Sequence, residues 1–235
     1  MTVARRTAPE PKIAKSKSLR EKIYDMYRDR ITTGQIAHED RMVDVEIAAQ
    51  LNISRMPVRE ALMQLVNDGM LESTSRGFVL RRFSDGEIED IFEIRNLLEP
   101  VAAAHAASNM TAVALQRMES ALEDCRRAGR NGELSRFISC NAEFRGVWLE
   151  QVANRQLVAA IKNHVDHVQA VRLATLKRKE VRKDVLDKMQ DLYLAFRARD
   201  SSKASAVIEG ALTAALNVFR FERQHTRPLK ERKAS

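Results

Sequence analysis

The stretch from Asp44 to Leu71 constrains this chain more than any other, and Ile53-Ser54-Arg55-Met56-Pro57-Val58-Arg59-Glu60-Ala61-Leu62 lies at its centre. It reads as two short helices joined by a tight turn. Asp44 is placed to cap the first helix, with Ile47, Ala48 and Leu51 along its apolar face. Asn52 is a residue type that tolerates the left-handed conformation a sharp turn needs. Ser54 is an N-cap residue for the second helix, and Pro57 falls in the first turn, where its missing N–H costs nothing. Val58, Ala61, Leu62, Leu65 and Val66 then recur at helical spacing, and Gly69 ends the run.

That pattern buries the back of the second helix and leaves its start facing out. Arg55 and Arg59 share the outer side at the N-terminus, with Met56 beside them. A capped helix offering two guanidiniums at its first turn suits a recognition helix in a DNA major groove. Arginine can donate two parallel bonds to guanine N7 and O6. The competing interpretation is a surface helix with solvated arginines.

Around this pair the chain reads as helical. Ser18 caps a helix running to about Thr33, with Leu19, Ile23, Met26, Tyr27 and Ile31 as its buried stripe and Gly34 as its stop. Gln35 to Val43 connects it to the helix pair. Leu71 to Ser75, Arg76-Gly77 and Phe78 to Arg82 form a hairpin with Gly77 in the turn. Three helices and a hairpin make a winged helix-turn-helix. Its tip at Ser75, Arg76 and Gly77 either reaches a minor groove or backbone or is a plain turn. Ser84-Asp85-Gly86-Glu87 is a capping box opening a long helix to about Ser108. With that helix counted, breaks near Asn109, Gly129 to Gly132, Ala153-Asn154, Lys177 to Lys179 and Arg199 to Ser202 divide 84–224 into about six helices of a bundle. The expected division is a disordered basic tail over 1–17, the winged domain over 18–83, an all-helical domain over 84–224, and a basic tail over 225–235. The fold class is mainly α.

Composition narrows the class further. Apolar residues are 44% and aromatics 5% of 235, enough for a helical core. The net charge of +8 is concentrated at the ends: residues 1–20 hold six Lys/Arg against one Glu, while residues 21–83 hold nine against ten acids. Bulk charge therefore supports DNA binding only weakly. Cys125 and Cys140 give neither metal spacing nor a disulfide framework, so a reducing compartment is expected. No signal peptide and no spanning apolar run stand out, which points to a soluble cytoplasmic protein without a membrane partner. No Ser/His/Asp or Cys/His set, phosphate loop or paired carboxylates argue for an enzyme.

The residues Ser54-Arg55-Met56-Pro57-Val58-Arg59-Glu60-Ala61-Leu62 closely resemble the recognition-helix signature of the GntR family, with Met56 where Thr is usual. The C-terminal part resembles the FCD ligand-binding domain of the FadR subgroup, through Glu93-Ile94-Arg95-Asn96-Leu97-Leu98-Glu99-Pro100. The resemblance covers about residues 18–222. It implies a homodimer on a pseudo-palindromic double-stranded operator, commonly a repressor released by an effector. Ser54, Arg55, Met56 and Arg59 correspond to DNA contacts, and Arg76 or Gly77 to the wing tip. Met56 removes a hydroxyl and suggests an apolar contact, such as one to a thymine methyl.

Many FCD domains hold a divalent metal through an Asp and three His. The first two of those positions read Asn141 and Arg145. The other two, counted without gaps from Asp200, fall on Met189 and Ala211. The expectation is no metal and no other cofactor. Periodicity independently turns these positions inward: Leu134, Phe137, Ile138, Asn141, Phe144, Arg145, Trp148 and Val152 form one stripe. Arg145 then becomes a fixed positive charge for a small organic-acid effector, aided by Asn141 and Met189, with Arg95 and Arg172 as further candidates. The alternative is that Arg145 pairs with an internal acid such as Glu99, which also lies one turn from Arg95. His164 and His167 read as a solvated or core-edge pair, Phe144 and Trp148 as core, and Cys140 as a small apolar residue.

Overall fold

The computed structural model describes residues 17–37, 39–167 and 175–226. Helix α1 (Leu19–Thr32) opens with the expected capping box: Ser18 Oγ accepts from Glu21 N, and the Glu21 carboxylate accepts from Ser18 N. Helices α2 (Asp44–Leu51) and α3 (Arg55–Asn67) meet at Asn52, whose φ of 52° and ψ of 48° are the left-handed values the turn requires. Strands β1 (Leu71–Thr74) and β2 (Gly77–Leu80) pair antiparallel. The C-terminal part contains α4 (Asp85–Asn109), α5 (Ala112–Asn131), α6 (Leu134–Glu150), α7 (Arg155–His167), α8 (Lys179–Arg197) and α9 (Ser201–Thr226). The basic segments 1–16 and 227–235 lie outside the described residues, as does Arg172.

Two separate hydrophobic cores form. The first gathers Ile23, Tyr27 and Ile31 of α1, Ile47 and Ala48 of α2, Val58, Ala61, Leu62 and Leu65 of α3, and Leu71 and Phe78 of the hairpin. The second joins the six C-terminal helices of the described residues, with Phe92, Met118, Phe137, Trp148 and Phe196 among its buried side chains. Ser84 and Glu87 close the second capping box, so α4 starts where its sequence says. It continues through Pro100 to Asn109; proline removes a single ladder bond there, and α4 is held along its length by α9.

Several expectations need correction. Asp44 does not cap α2: Val43 holds that position, and Asp44 is the first helical residue, turned inward and 5% exposed. Leu19 and Leu51 are 46% and 39% exposed rather than buried, because each sits at a helix end, past the packed stripe. Ser54 occupies the N-cap of α3, but its side chain makes no capping hydrogen bond. Cys125 and Cys140, expected to form no disulfide, are bonded between α5 and α6 with a Cα–Cα distance of 5.5 Å, so cysteine usage lends no support to a reducing compartment. Packing of two antiparallel helices brings them together, which spacing alone does not reveal. Over Ser201–Arg223, α9 is long and apolar enough to pass as a membrane span by composition. Its Ala204, Ile208, Leu212 and Phe219 instead pack into the bundle core.

Gly77 is not at the hairpin tip. It begins β2 with φ of 119°, and Ser75 and Arg76 make the turn. Behind it, Met42 and Phe78 exchange both backbone bonds at 2.8 Å, so the connector adds a third short edge to the hairpin. A Cβ on Gly77 would stand 2.7 Å from the Met42 carbonyl oxygen. Gly77→Ala is therefore expected to destabilise the N-terminal unit by about 1–3 kcal/mol through backbone strain and that collision. Urea unfolding followed by circular dichroism measures it, and an unchanged midpoint would mean the close approach does not exist.

Candidate functional site

Helix α3 has a buried back and an exposed start. Val58, Ala61, Leu62 and Leu65 are 0% exposed, whereas Met56 is 65% exposed. The side chains of Arg55 and Arg59 are each 55% exposed, at the N-terminal end where helical N–H groups also point outward. Apolar spacing fixed this orientation. The hairpin tip, with Arg76 exposed, projects beyond β1 and β2. Thr74 Oγ1 steadies that tip by donating to the Gly77 carbonyl at 2.8 Å and accepting from Arg76 N at 3.2 Å.

The sequence did not single out the group that joins the two arginines. Asp44 Oδ2 lies 3.0 Å from Arg55 Nε and 3.3 Å from Arg59 Nη1. Burial works against the charge of this carboxyl, but hydrogen bonds from Arg55, Arg59 and the Val45 backbone outweigh it and hold the carboxyl below its usual range. The helix-turn-helix brings the start of α2 against the start of α3, across 11 and 15 residues of chain. The first turn of α2 holds two acids, Asp44 and Glu46, and nothing along the chain marked Asp44 as the one that meets the arginines.

A second polar cluster lies inside the bundle. Glu99 is 0% exposed and answers two arginines at once: its Oε1 lies 2.6 Å from Arg95 Nε, and its Oε2 lies 2.8 Å from Arg145 Nη2. Both pairings left open by the sequence are present together. Burial opposes the Glu99 charge, but Arg145 and then Arg95 overcome it and hold the carboxyl at about 2. Burial, and next in sign the neighbouring Arg145 charge, push the Arg95 pKa down, while Glu99 pulls it up. The Arg145 guanidinium also lies 5.7 Å from the Trp148 ring, and Arg95 lies 5.0 Å from Phe92. The Arg145 side chain keeps 17% exposure; its Nη2 meets Glu99 Oε2 as an ion pair without hydrogen-bond geometry, and its Nε has no hydrogen-bond partner among the described residues.

Asn141, one turn before Arg145 on α6, donates through Nδ2 to the Met189 sulfur at 3.6 Å. Met189 is buried on α8, and Ala211 is half-buried on α9. An amide, a thioether, a methyl group and a guanidinium supply no carboxylate or imidazole, so these positions do not fit a divalent cation. Phe144 and Trp148 are buried in the core, and Trp148 packs 6.0 Å from Phe196. His164 is half-buried on α7, while the His167 side chain lies outside the described residues.

Comparison with known proteins gives the family. Residues 19–79 match the bacterial regulatory proteins of the gntR family, and residues 90–214 match the FCD domain. An uncharacterized HTH-type transcriptional regulator of Mycobacterium tuberculosis is 31% identical over 182 residues, spanning 77% of this chain and 72% of the relative. The HTH-type transcriptional repressor RspR of Escherichia coli is 26% identical over 206 residues, 87% of this chain and 88% of its own. Among solved structures, E. coli McbR/YncC shares the fold with a TM-score of 0.80 at 22% identity, over 88% of this chain and all of that one. The chain thus belongs to the GntR family of DNA-binding transcriptional regulators, with an FCD domain as its C-terminal part, and is not an enzyme.

Proposed function

We propose that this chain is a cytoplasmic, homodimeric repressor whose grip on its operator is released by a small organic acid held in the helical domain. Arg55, Met56, Arg59 and Ser54 contact the operator in the major groove, and Arg76 and Gly77 bring the wing to the adjacent backbone. The observation that carries the DNA reading is the exposed arginine pair on a helix whose opposite side is fully buried. The working units are the winged domain over 18–83 and the effector and dimerisation domain over 84–224. Two copies place their recognition helices on half-sites about one DNA turn apart. Leu97 and Val101, 69% and 48% exposed on the outer side of α4, support a second copy packing on that helix.

In the effector site, Arg95 and Arg145 share one carboxylate, so the cluster carries a net charge of +1. A monoanion would complete its neutralisation, received by the partly exposed Arg145 guanidinium with Asn141 and Met189 alongside. A fixed guanidinium would then take the place the family gives to a metal. Arg95, paired through Nε with Glu99, acts on the ligand through that carboxylate. Ligand binding and DNA binding are then reciprocally coupled, because both draw on one equilibrium between separations of the recognition helices.

The Glu99 clamp also favours a second reading, in which the cluster is purely structural and the core takes no ligand. Titration of the purified chain with a panel of small carboxylic acids separates the two. Arg145→Ala is expected to weaken binding of the acid that releases DNA by at least tenfold, as loss of a charge-assisted bond does. Unchanged affinity in the variant, or no acid that binds, would leave the structural reading.

A further inference from the structure

The exposed pair Arg55 and Arg59 together with Asp44, which stands beneath both, carries only one unit of net positive charge. Its carboxylate is 7% exposed and contacts Arg55 Nε at 3.0 Å and Arg59 Nη1 at 3.3 Å, while each arginine side chain remains 55% exposed. A group built only for affinity to phosphate would not carry an acid at this point. An acid here lowers the number of counterions released on binding and weakens attraction to any duplex.

We propose that Asp44 is the positioning residue for base reading, and that it converts two mobile cations into an oriented pair selective for guanine. The reading rests on α3 being the DNA-reading helix. With Nε of Arg55 held from behind, the terminal nitrogens of that guanidinium stay available on the outer side. Two parallel donors in fixed orientation are what guanine N7 and O6 accept. A freely rotating arginine would meet phosphates as readily as bases, and it would pay rotamer entropy on ordering. Asp44 therefore exchanges indiscriminate affinity for sequence discrimination. Its own position is secure: it occupies the first turn of α2, where helical N–H groups favour a carboxylate, and its neighbours Ile47 and Ala48 anchor that helix in the core.

The test compares the wild-type chain with Asp44→Asn, Asp44→Ser and Arg55→Ala. The probes are a duplex the wild type selects from a random pool and a scrambled duplex of equal length, each over a range of salt concentrations. Asp44→Asn is expected to raise affinity for the scrambled duplex severalfold and to lower the selected-to-scrambled ratio about tenfold. It should also steepen the dependence of log affinity on log salt by about one. A merely structural role would lower both affinities together and leave the salt slope alone. If Arg55→Ala weakens selected binding while Asp44→Asn leaves ratio and slope unchanged, Asp44 has no positioning role and the DNA reading stands. If Arg55→Ala also has no effect, the reading of α3 itself fails. Should neither Asp44 variant fold, exchange of the Arg55 Nε proton in the free wild type decides by nuclear magnetic resonance. Protection of about tenfold over a solvated arginine upholds the proposal, and exchange at the solvated rate overturns it.

Discussion

Replacing Glu99 by Gln is expected to destabilise the helical domain by about 3–5 kcal/mol, the largest effect of any single substitution considered for this chain. The reason is local charge balance. Arg95 is 7% exposed and Arg145 keeps 17% of its side-chain exposure, and Glu99 is the acid that answers both. The amide keeps the shape and removes the charge, so two guanidiniums face each other with no counter-ion in a poorly solvated space. For a domain of this size, the loss corresponds to a drop in Tm of roughly 10 °C. A companion variant that replaces all three residues by Met should fall much closer to the wild type, because it removes the desolvation cost along with the attraction. Acid titration supplies an independent check. In the folded chain the Glu99 carboxyl is held at about 2 against an ordinary 4.5, so its contribution is fully present above the ordinary value. It disappears as pH falls from about 4.5 towards 2, on the order of 3 kcal/mol, and Glu99→Gln should lack that loss. A variant with wild-type urea and acid midpoints would mean that the three side chains do not share the charge as described.

The second large effect is expected at the other end of the molecule. Arg55→Ala should reduce affinity for the selected operator by about 10- to 100-fold, equivalent to about 1–3 kcal/mol for one paired contact to a base. Arg55 is half exposed on a helix packed through Val58, Ala61, Leu62 and Leu65, but it also pairs with the buried Asp44 carboxylate, so the variant should lose about 1 kcal/mol of stability, with Arg59 left to answer that charge. Affinity for a scrambled duplex should fall much less, since only one cation is lost. Fluorescence anisotropy at fixed salt, paired with thermal unfolding, measures both quantities. Equal losses on the two duplexes would reassign Arg55 from base reading to phosphate contact.

The local features were legible because each rests on neighbouring residues. Ser18 with Glu21, and Ser84 with Glu87, announced two helix starts through chemistry spanning three residues. Asn52 and Gly69 marked turns because few other side chains accept a positive φ. The stripes of α3 and α6 were readable because burial repeats at the helical period. The misreadings share another cause. Asp44 looks like a cap when only its flanking residues are considered, and Gly77 looks like a turn apex when only the hairpin is considered. Arg55 and Arg59 across the turn, and the Met42 strand behind the hairpin, give these residues their places.

From its sequence alone, the starts of α1 and α4, the turn at Asn52, the apolar stripes of α3 and α6, and the outward placement of Arg55, Met56 and Arg59 could be read. These follow from backbone conformational preference and from the period at which apolar side chains recur, both of which act over a few residues. Tertiary structure decided how charges are shared: Asp44 between Arg55 and Arg59, and Glu99 between Arg95 and Arg145. It also decided the Cys125–Cys140 bridge and the contact of Asn141 with Met189. Such pairings depend on which helices meet and at what depth. A carboxylate's partner is chosen by distance and desolvation in three dimensions, and no pattern along the chain records either.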